Sequence, residues 1–289
     1  VEVVSPALPP HGPPLPIAAI FKRPVDGHPR AWVFTSATLA VGRDFGHYCR
    51  ELGLNWVEPP IETAVWGSPF DYQKQAVLYA PQDMPEPSSP EYPDAVAKVA
   101  FPLIRAAHGR TFVLCTSLRA MRRIHELIAD DLAREKLDLP LLIQGEGSRT
   151  ELLERFRRLG NAILVASQSF WEGVDVPGDA LSVVVIDKLP FAPPDDPVLA
   201  ARIENMRKAG RNPFMEYQLP RAVINVKQGA GRLIRTERDK GVLAICDPRM
   251  LTKPYGKRVW QSLPPMRRSE HEAEVVAFLE ELPPPAART

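Results

Sequence analysis

A doubly wound α/β fold, built on a mostly parallel sheet with helices on both faces, is predicted by three features of this sequence. Short runs rich in Val, Ile and Leu recur along the chain; they are apolar at consecutive positions, as strands buried on both faces are; and segments with apolar residues at helical spacing separate them. Such alternation implies right-handed crossovers and ligand sites at the carboxyl ends of the strands.

The strands are TFVLC at 111–115, PLLIQ at 140–144, AILVA at 162–166, SVVVI at 182–186 and GVLAIC at 241–246. Between the first two, Leu118, Met121, Ile124, Ile128 and Leu132 fall on one helical face; between the next two, Leu152, Leu153, Phe156 and Leu159 do the same. Prolines punctuate the rest. Residues 5–16, 81–93, 190–197 and 283–285 are too proline-rich for helix interiors or central strands and read as connectors, loops and a tail. On this pattern the main body runs from about 95 to 282.

The 36 basic and 35 acidic residues leave a net charge of +1, so a nucleic-acid surface here is a local patch and not a global field. Three widely spaced cysteines, Cys49, Cys115 and Cys246, offer neither a disulfide framework nor a cysteine metal site, and the last two sit in apolar runs where buried thiols are common. No metal ligands are assigned. Without an apolar run of membrane length or a secretory leader, the cytoplasm is the expected compartment and no membrane partner is expected. The first residue is Val1, not Met, so the expectation is a fragment or a processed form of a protein.

Chemistry is sought at the strand ends. Thr116 and Ser117 place two hydroxyls at a strand-to-helix junction, suited to an anion or simply to capping a helix. Ser167 and Ser169 follow the 162–166 strand on the same expected edge, and all four suit phosphates better than base edges. Glu172, Gly173 and Asp175 set two carboxylates around a glycine that permits tight backbone approach, or form a turn with solvated acids; Trp171 is equally a core residue or a stacking platform. In QGAGRLIR, a mostly helical stretch from Phe214 to Arg235 puts Gln228, Arg232 and Arg235 at i, i+4 and i+7 on one face. Gly229 and Gly231 there imply close approach to the backbone. The alternative is a solvated basic face paired with Glu237 and Asp239; against it, Leu233 and Ile234 are apolar and a buried strand follows, so the guanidinium groups are held at the edge of a rigid sheet and suit a γ-phosphate.

Five segments, TSATL (35–39), VLCTSLRAM (113–121), QSFWEGVDVPGD (168–179), VIDKLPF (185–191) and QGAGRLIR (228–235), resemble in order the later motifs of the DinG/XPD-type superfamily 2 DNA helicases, and most resemble the bacterial YoaA branch. The resemblance implies a RecA-like fold in two parts. Residues 1–55 resemble the closing portion of a first motor domain with its linker, and residues 56–289, with a body from about 70 to 282, resemble the second. It implies arginine-finger and γ-phosphate roles for Gln228, Arg232 and Arg235, nucleotide-side roles for Glu172, Gly173, Asp175 and Gly231, contacts to single-stranded DNA at Thr116, Ser117, Ser167 and Ser169, and coupling at Thr35, Ser36 and Thr38. ATP and Mg²⁺ would be held mainly by the other motor domain of the same protein, with single-stranded DNA and replication or repair proteins as partners, in a bacterial, nucleoid-associated setting.

The sequence departs from the full family pattern. It has no G-x-x-x-x-G-K-[ST] loop, no D-E-A-H Mg²⁺ site and no four cysteines for the iron–sulfur cluster that many relatives carry; the resemblance leaves such a cluster open for the full-length protein, with no ligands for it in this chain. The resemblance therefore implies the C-terminal motor half of an ATP-dependent 5′-to-3′ DNA helicase, unable to hydrolyse ATP alone. A non-catalytic nucleic-acid-binding or docking module is the alternative. An unrelated doubly wound metabolic enzyme is disfavoured, since no G-x-G-x-x-G follows a strand and no His or Cys dyad stands out.

Overall fold

The structure, a computed structural model, describes residues 31–36, 38–56, 61–167, 170, 180–193 and 196–285. The chain divides into two compact units: residues up to Trp66 together with Phe191–Ile224, and Gly67–Pro190 together with Asn225–Thr289. In chain order the elements begin with α1 (Gly46–Leu52), α2 (Tyr72–Gln75), β1 (Ala76–Tyr79), α3 (Tyr92–Ala106), β2 (Thr111–Cys115) and α4 (Leu118–Glu135). They continue with β3 (Leu141–Ile143), α5 (Arg149–Leu159), β4 (Ile163–Ser167), β5 (Val183–Ile186) and α6 (Pro197–Lys208). A π-helix (Phe214–Gln218) leads into α7 (Leu219–Ala230), followed by β6 (Gly241–Ile245), α8 (Arg249–Thr252), α9 (Gly256–Ser262), β7 (Arg267–Ser269) and α10 (Glu272–Glu280).

Among the described residues of the larger unit seven strands pair in parallel, in the order β3-β4-β2-β5-β6-β1-β7, which is the doubly wound α/β class. Every residue of β1, β2, β5 and β6 is buried, as their uninterrupted apolar sequences require, while the outermost strands β3 and β7 are partly exposed. On one face Val113, Val165, Val185 and Ala244 pack with α3, α4 and α10 through Ile104, Ile124 and Leu279. On the other, Phe112 meets Phe156 of α5 with ring centroids 4.6 Å apart. Glycine is required where the segments leading into the paired strands β2 and β4 meet: Gly109 has φ +82°, and a Cβ there would lie 1.9 Å from the Asn161 carbonyl oxygen.

Two boundaries correct the sequence reading. The main body begins before residue 95, because β1 sits between β6 and β7 inside the sheet; four residues between a polar stretch and a proline-rich one carry too little pattern to announce a strand. The proline stretches also reach into helices, with Pro93 in the first turn of α3 and Pro197 in that of α6, where the missing N–H would have no helical partner.

The smaller unit is organised around Tyr217. The Arg202 guanidinium lies 4.6 Å from the ring centroid and that of Arg221 5.4 Å, and Arg221 also donates to the Tyr217 hydroxyl. His47 of α1 contacts the Glu216 carbonyl at 3.2 Å, and burial pushes its pKa down.

Candidate nucleotide and nucleic-acid site

The carboxyl edge of the sheet is held together by acceptors at its strand ends. Asp187, directly after β5 and 1% exposed, accepts from the Thr116 backbone N–H with both oxygens at 3.0 Å, from the Thr116 hydroxyl at 3.1 Å and from the Lys188 N–H at 2.6 Å. Burial pushes the Asp187 carboxyl up to about 6 even though these donors favour its charged form. Asp247, after β6, accepts from the Leu189 N–H at 2.7 Å and pairs with Arg249 at 2.6 Å. The Tyr92 hydroxyl donates to the carbonyls of Asp187 and Cys246. At the end of β4 the Ser167 N–H and hydroxyl both point to Gln144 Oε1, at 2.7 and 2.8 Å.

These bonds separate the hydroxyls of the carboxyl edge. Thr116, Ser117 and Ser167 do share that edge, yet the donors of Thr116 are occupied by Asp187. Ser117 Oγ accepts from the Ala120 N–H as the N-cap of α4, which uses its oxygen and leaves its proton available. Beside it Leu118 is 53% exposed, because it begins the helix ahead of the buried Met121, Ile124, Ile128 and Leu132 stripe.

The arginine-bearing segment lies at the opposite edge. The helix predicted to continue to Arg235 ends at Ala230: Gly231 and Arg232 form a turn, and Leu233 and Ile234, 2% and 3% exposed, draw the chain into the core. Two glycines in three residues weaken the helix where apolar burial redirects it, so Gln228, Arg232 and Arg235 do not share a helical face. Arg235 precedes β6, and Gly241 of β6 pairs with Ala76 of β1, so the segment approaches the amino ends of these strands and not the carboxyl ends. A five-residue strand separates the two edges by roughly 17 Å.

At that amino edge Asp239, 7% exposed, receives the backbone N–H groups of Arg235 and Thr236 on Oδ2 and the Thr236 hydroxyl on Oδ1, each at 2.8 Å. Gln75 Nε2 donates to the carbonyls of Thr236 and Asp239, both at 2.9 Å. Asp239 therefore binds the backbone and the hydroxyl of its own turn, and among the described residues it has no guanidinium partner of the kind a solvated basic face would give it. Gln228 is half-buried, and its Oε1 has no hydrogen-bond partner among the described residues. Burial holds the neighbouring Lys227 below the ordinary lysine range. Gly231 is exposed; a Cβ on it would lie 3.3 Å from the Lys227 carbonyl oxygen, so the close approach to this glycine is made by its own helix end.

In the smaller unit Thr35 and Ser36 are exposed, and Ser36 Oγ lies 3.1 Å from Thr38 Oγ1 in a local turn. Ser169, Trp171, Glu172, Gly173 and Asp175 lie outside the described residues. Among the described residues no group of three or more His, Cys, Asp or Glu could hold a metal ion, and no helix is long and apolar enough to cross a membrane. Cys115 and Cys246 are fully buried, as their apolar runs predicted. Sequence reasoning missed Asp187, Asp247, Gln144, Gln75 and the true role of Asp239. One signal was available: VVVID and LAICD both end an apolar strand on an aspartate.

The helicase C-terminal domain family matches residues 101–266, more than half of the chain and all of its strand-end clamps after β2. The chain belongs to this family. ATP-dependent DNA helicase YoaA of Escherichia coli (strain K12) is 47% identical over 266 residues, covering 92% of this chain and 40% of the relative. ATP-dependent helicase DinG of Mycobacterium tuberculosis (strain ATCC 25618 / H37Rv) is 39% identical over 255 residues, covering 86% of this chain and 37% of the relative. A solved structure of S. tokodaii Xpd4 aligns at 14% identity with a TM-score of 0.49, over 74% of this chain and 41% of that one. This helicase C-terminal domain thus spans about two fifths of the length of the curated relatives it matches.

Proposed function

We propose that this helicase C-terminal domain is the second motor half of an ATP-dependent 5′-to-3′ DNA helicase, acting in the bacterial cytoplasm on single-stranded DNA. ATP would be held mainly by the other motor domain of the same protein. The observation that carries the reading is the pinned arginine segment: Arg235 leaves a backbone fixed by two buried polar side chains at the rim of a rigid sheet. Guanidinium groups held in this way stabilise charge on a transferring phosphoryl group without reorganising during the reaction. Arg232 and Arg235 supply that charge; Gln228, whose amide can turn to present its N–H₂, supplies a further contact, and Gly231 an open approach.

Mg²⁺ would neutralise phosphate charge during hydrolysis, but the described residues do not form a site for it, and neither Mg²⁺ nor an iron–sulfur cluster is assigned to this chain. DNA would lie at the other edge of the sheet, against the Ser117 hydroxyl and the first turn of α4, with Thr116 and Ser167 shaping the loops. Contacts of this kind read phosphates and tolerate any base order. Glu172, Gly173 and Asp175 are proposed on the nucleotide side, Ser169 on the DNA side, and Thr35, Ser36 and Thr38 in coupling. Residues 1–55 would close the first motor domain and 56–289 form the second.

The test uses the complete protein. Arg232→Ala or Arg235→Ala should slow DNA-stimulated ATP hydrolysis by roughly 10³- to 10⁵-fold, with little change in DNA affinity. Hydrolysis within about tenfold of the parent, only about 1.4 kcal/mol of barrier, would remove that arginine from the γ-phosphate.

A further inference from the structure

Arg235 stands outside any helix, so no helical hydrogen-bond ladder fixes its Cα. What fixes it is assembled from two places distant in sequence. Gln75 is the last residue of α2 and the residue before β1, the strand that pairs with β6; its side chain is 5% exposed and spends its amide on the carbonyls of Thr236 and Asp239. Asp239 returns along the chain to take the N–H groups of Arg235 and Thr236. Donors and acceptors of the 235–239 turn are thus closed upon one another and tied to the central sheet, while Leu233 and Ile234 anchor the other side of Arg235 in the core. Burying a glutamine amide and a carboxylate is costly unless their bonds are met, and here the carboxylate gains three donors and the amide two acceptors. An apolar residue at 75 would fill the same space but leave two buried carbonyls unmet, with nothing to set the turn against β1.

We propose that Gln75 and Asp239 are positioning residues for Arg235: the buried pair transmits the rigidity of the β1–β6 register to the arginine and fixes where its guanidinium group meets the phosphate. This rests on the reading of Arg235 as phosphate-facing. Neither residue touches substrate. Their effect is expected in the rate of hydrolysis, because a displacement of about 1 Å in a positioned group can cost on the order of 10²-fold.

The experiment is a double-mutant cycle in the complete helicase, following DNA-stimulated ATP hydrolysis under multiple and single turnover, the KM for ATP and the affinity for oligo-dT. Gln75→Met and Asp239→Ala should each lower kcat by about 10²-fold, with KM and DNA affinity within about threefold of the parent. Asp239→Asn should recover most of the rate: its carbonyl can still accept both N–H groups, and the Thr236 hydroxyl can turn to accept from the new amide. In an Arg235→Ala background Gln75→Met and Asp239→Ala should lower kcat no further, because what they position is gone. Equal losses with and without Arg235, or failure of both variants to fold, would assign the pair a general structural role and overturn the proposal. If Arg235→Ala slows hydrolysis strongly while both variants stay at the parental rate, positioning fails and the reading of Arg235 survives. If Arg235→Ala itself leaves hydrolysis within about tenfold, that reading falls and takes the proposal with it.

Discussion

Asp187 should make the stability of this domain fall as pH rises through 6, and Asp187→Asn should abolish that dependence. Its carboxyl is pushed from 3.8 up to about 6 by burial, so between these values the folded chain holds a proton that the unfolded chain has released. The stabilising contribution is complete below the unfolded pKa and is lost as pH rises through the folded one. For those two pKa values, linkage gives a loss of about 1.4 kcal/mol between pH 5 and 7.5, roughly tenfold in the folding equilibrium. His47 and His125, which burial holds below the usual histidine range, work in the opposite sense, their contribution being lost as pH falls. Comparing the parent with Asp187→Asn cancels them, since the amide resembles the protonated acid and does not titrate. Urea unfolding of both proteins from pH 5 to 8, followed by circular dichroism, gives the difference directly. Parallel pH profiles would refute the reasoning, since they would mean that Asp187 has the same proton affinity folded and unfolded and that its four close donor contacts offset its desolvation.

Two further outcomes are expected. Ser117→Ala should lower the unfolding free energy by about 1 kcal/mol through loss of the α4 cap and also weaken oligo-dT binding, whereas Ser117→Asp should restore the cap but not the binding, because a carboxylate caps a helix and repels a phosphate; equal oligo-dT affinity for parent and Ser117→Asp in a salt titration would place the phosphate elsewhere. This chain alone, given Mg²⁺, ATP and saturating single-stranded DNA, should release no phosphate above background, since arginines cannot replace a phosphate-binding loop; turnover abolished by Arg232→Ala would show that the chain carries a complete ATP site.

Where the same residues bury two faces at once, the sequence announced the structure. TFVLC, AILVA, SVVVI and GVLAIC are apolar at every position because both sheet faces are covered, and the stripe from Met121 to Leu132 repeats at helical spacing because one face is. Local chemistry was equally legible: a serine after a strand caps the next helix, and cysteines in apolar runs are buried. Which edge of the sheet each candidate segment occupies was decided only by tertiary structure. Gln228, Arg232 and Arg235 are in helical register on paper, but burial of Leu233 and Ile234 outweighs five more residues of a glycine-weakened helix and carries Arg235 to the amino ends of β1 and β6. The partners that hold the site lie 71 residues apart for Thr116 and Asp187, 23 for Ser167 and Gln144, and 161 for Gln75 and Thr236. No local pattern encodes such pairs, because a buried donor takes whichever acceptor the strand order brings within reach, and that order places β1 between β6 and β7.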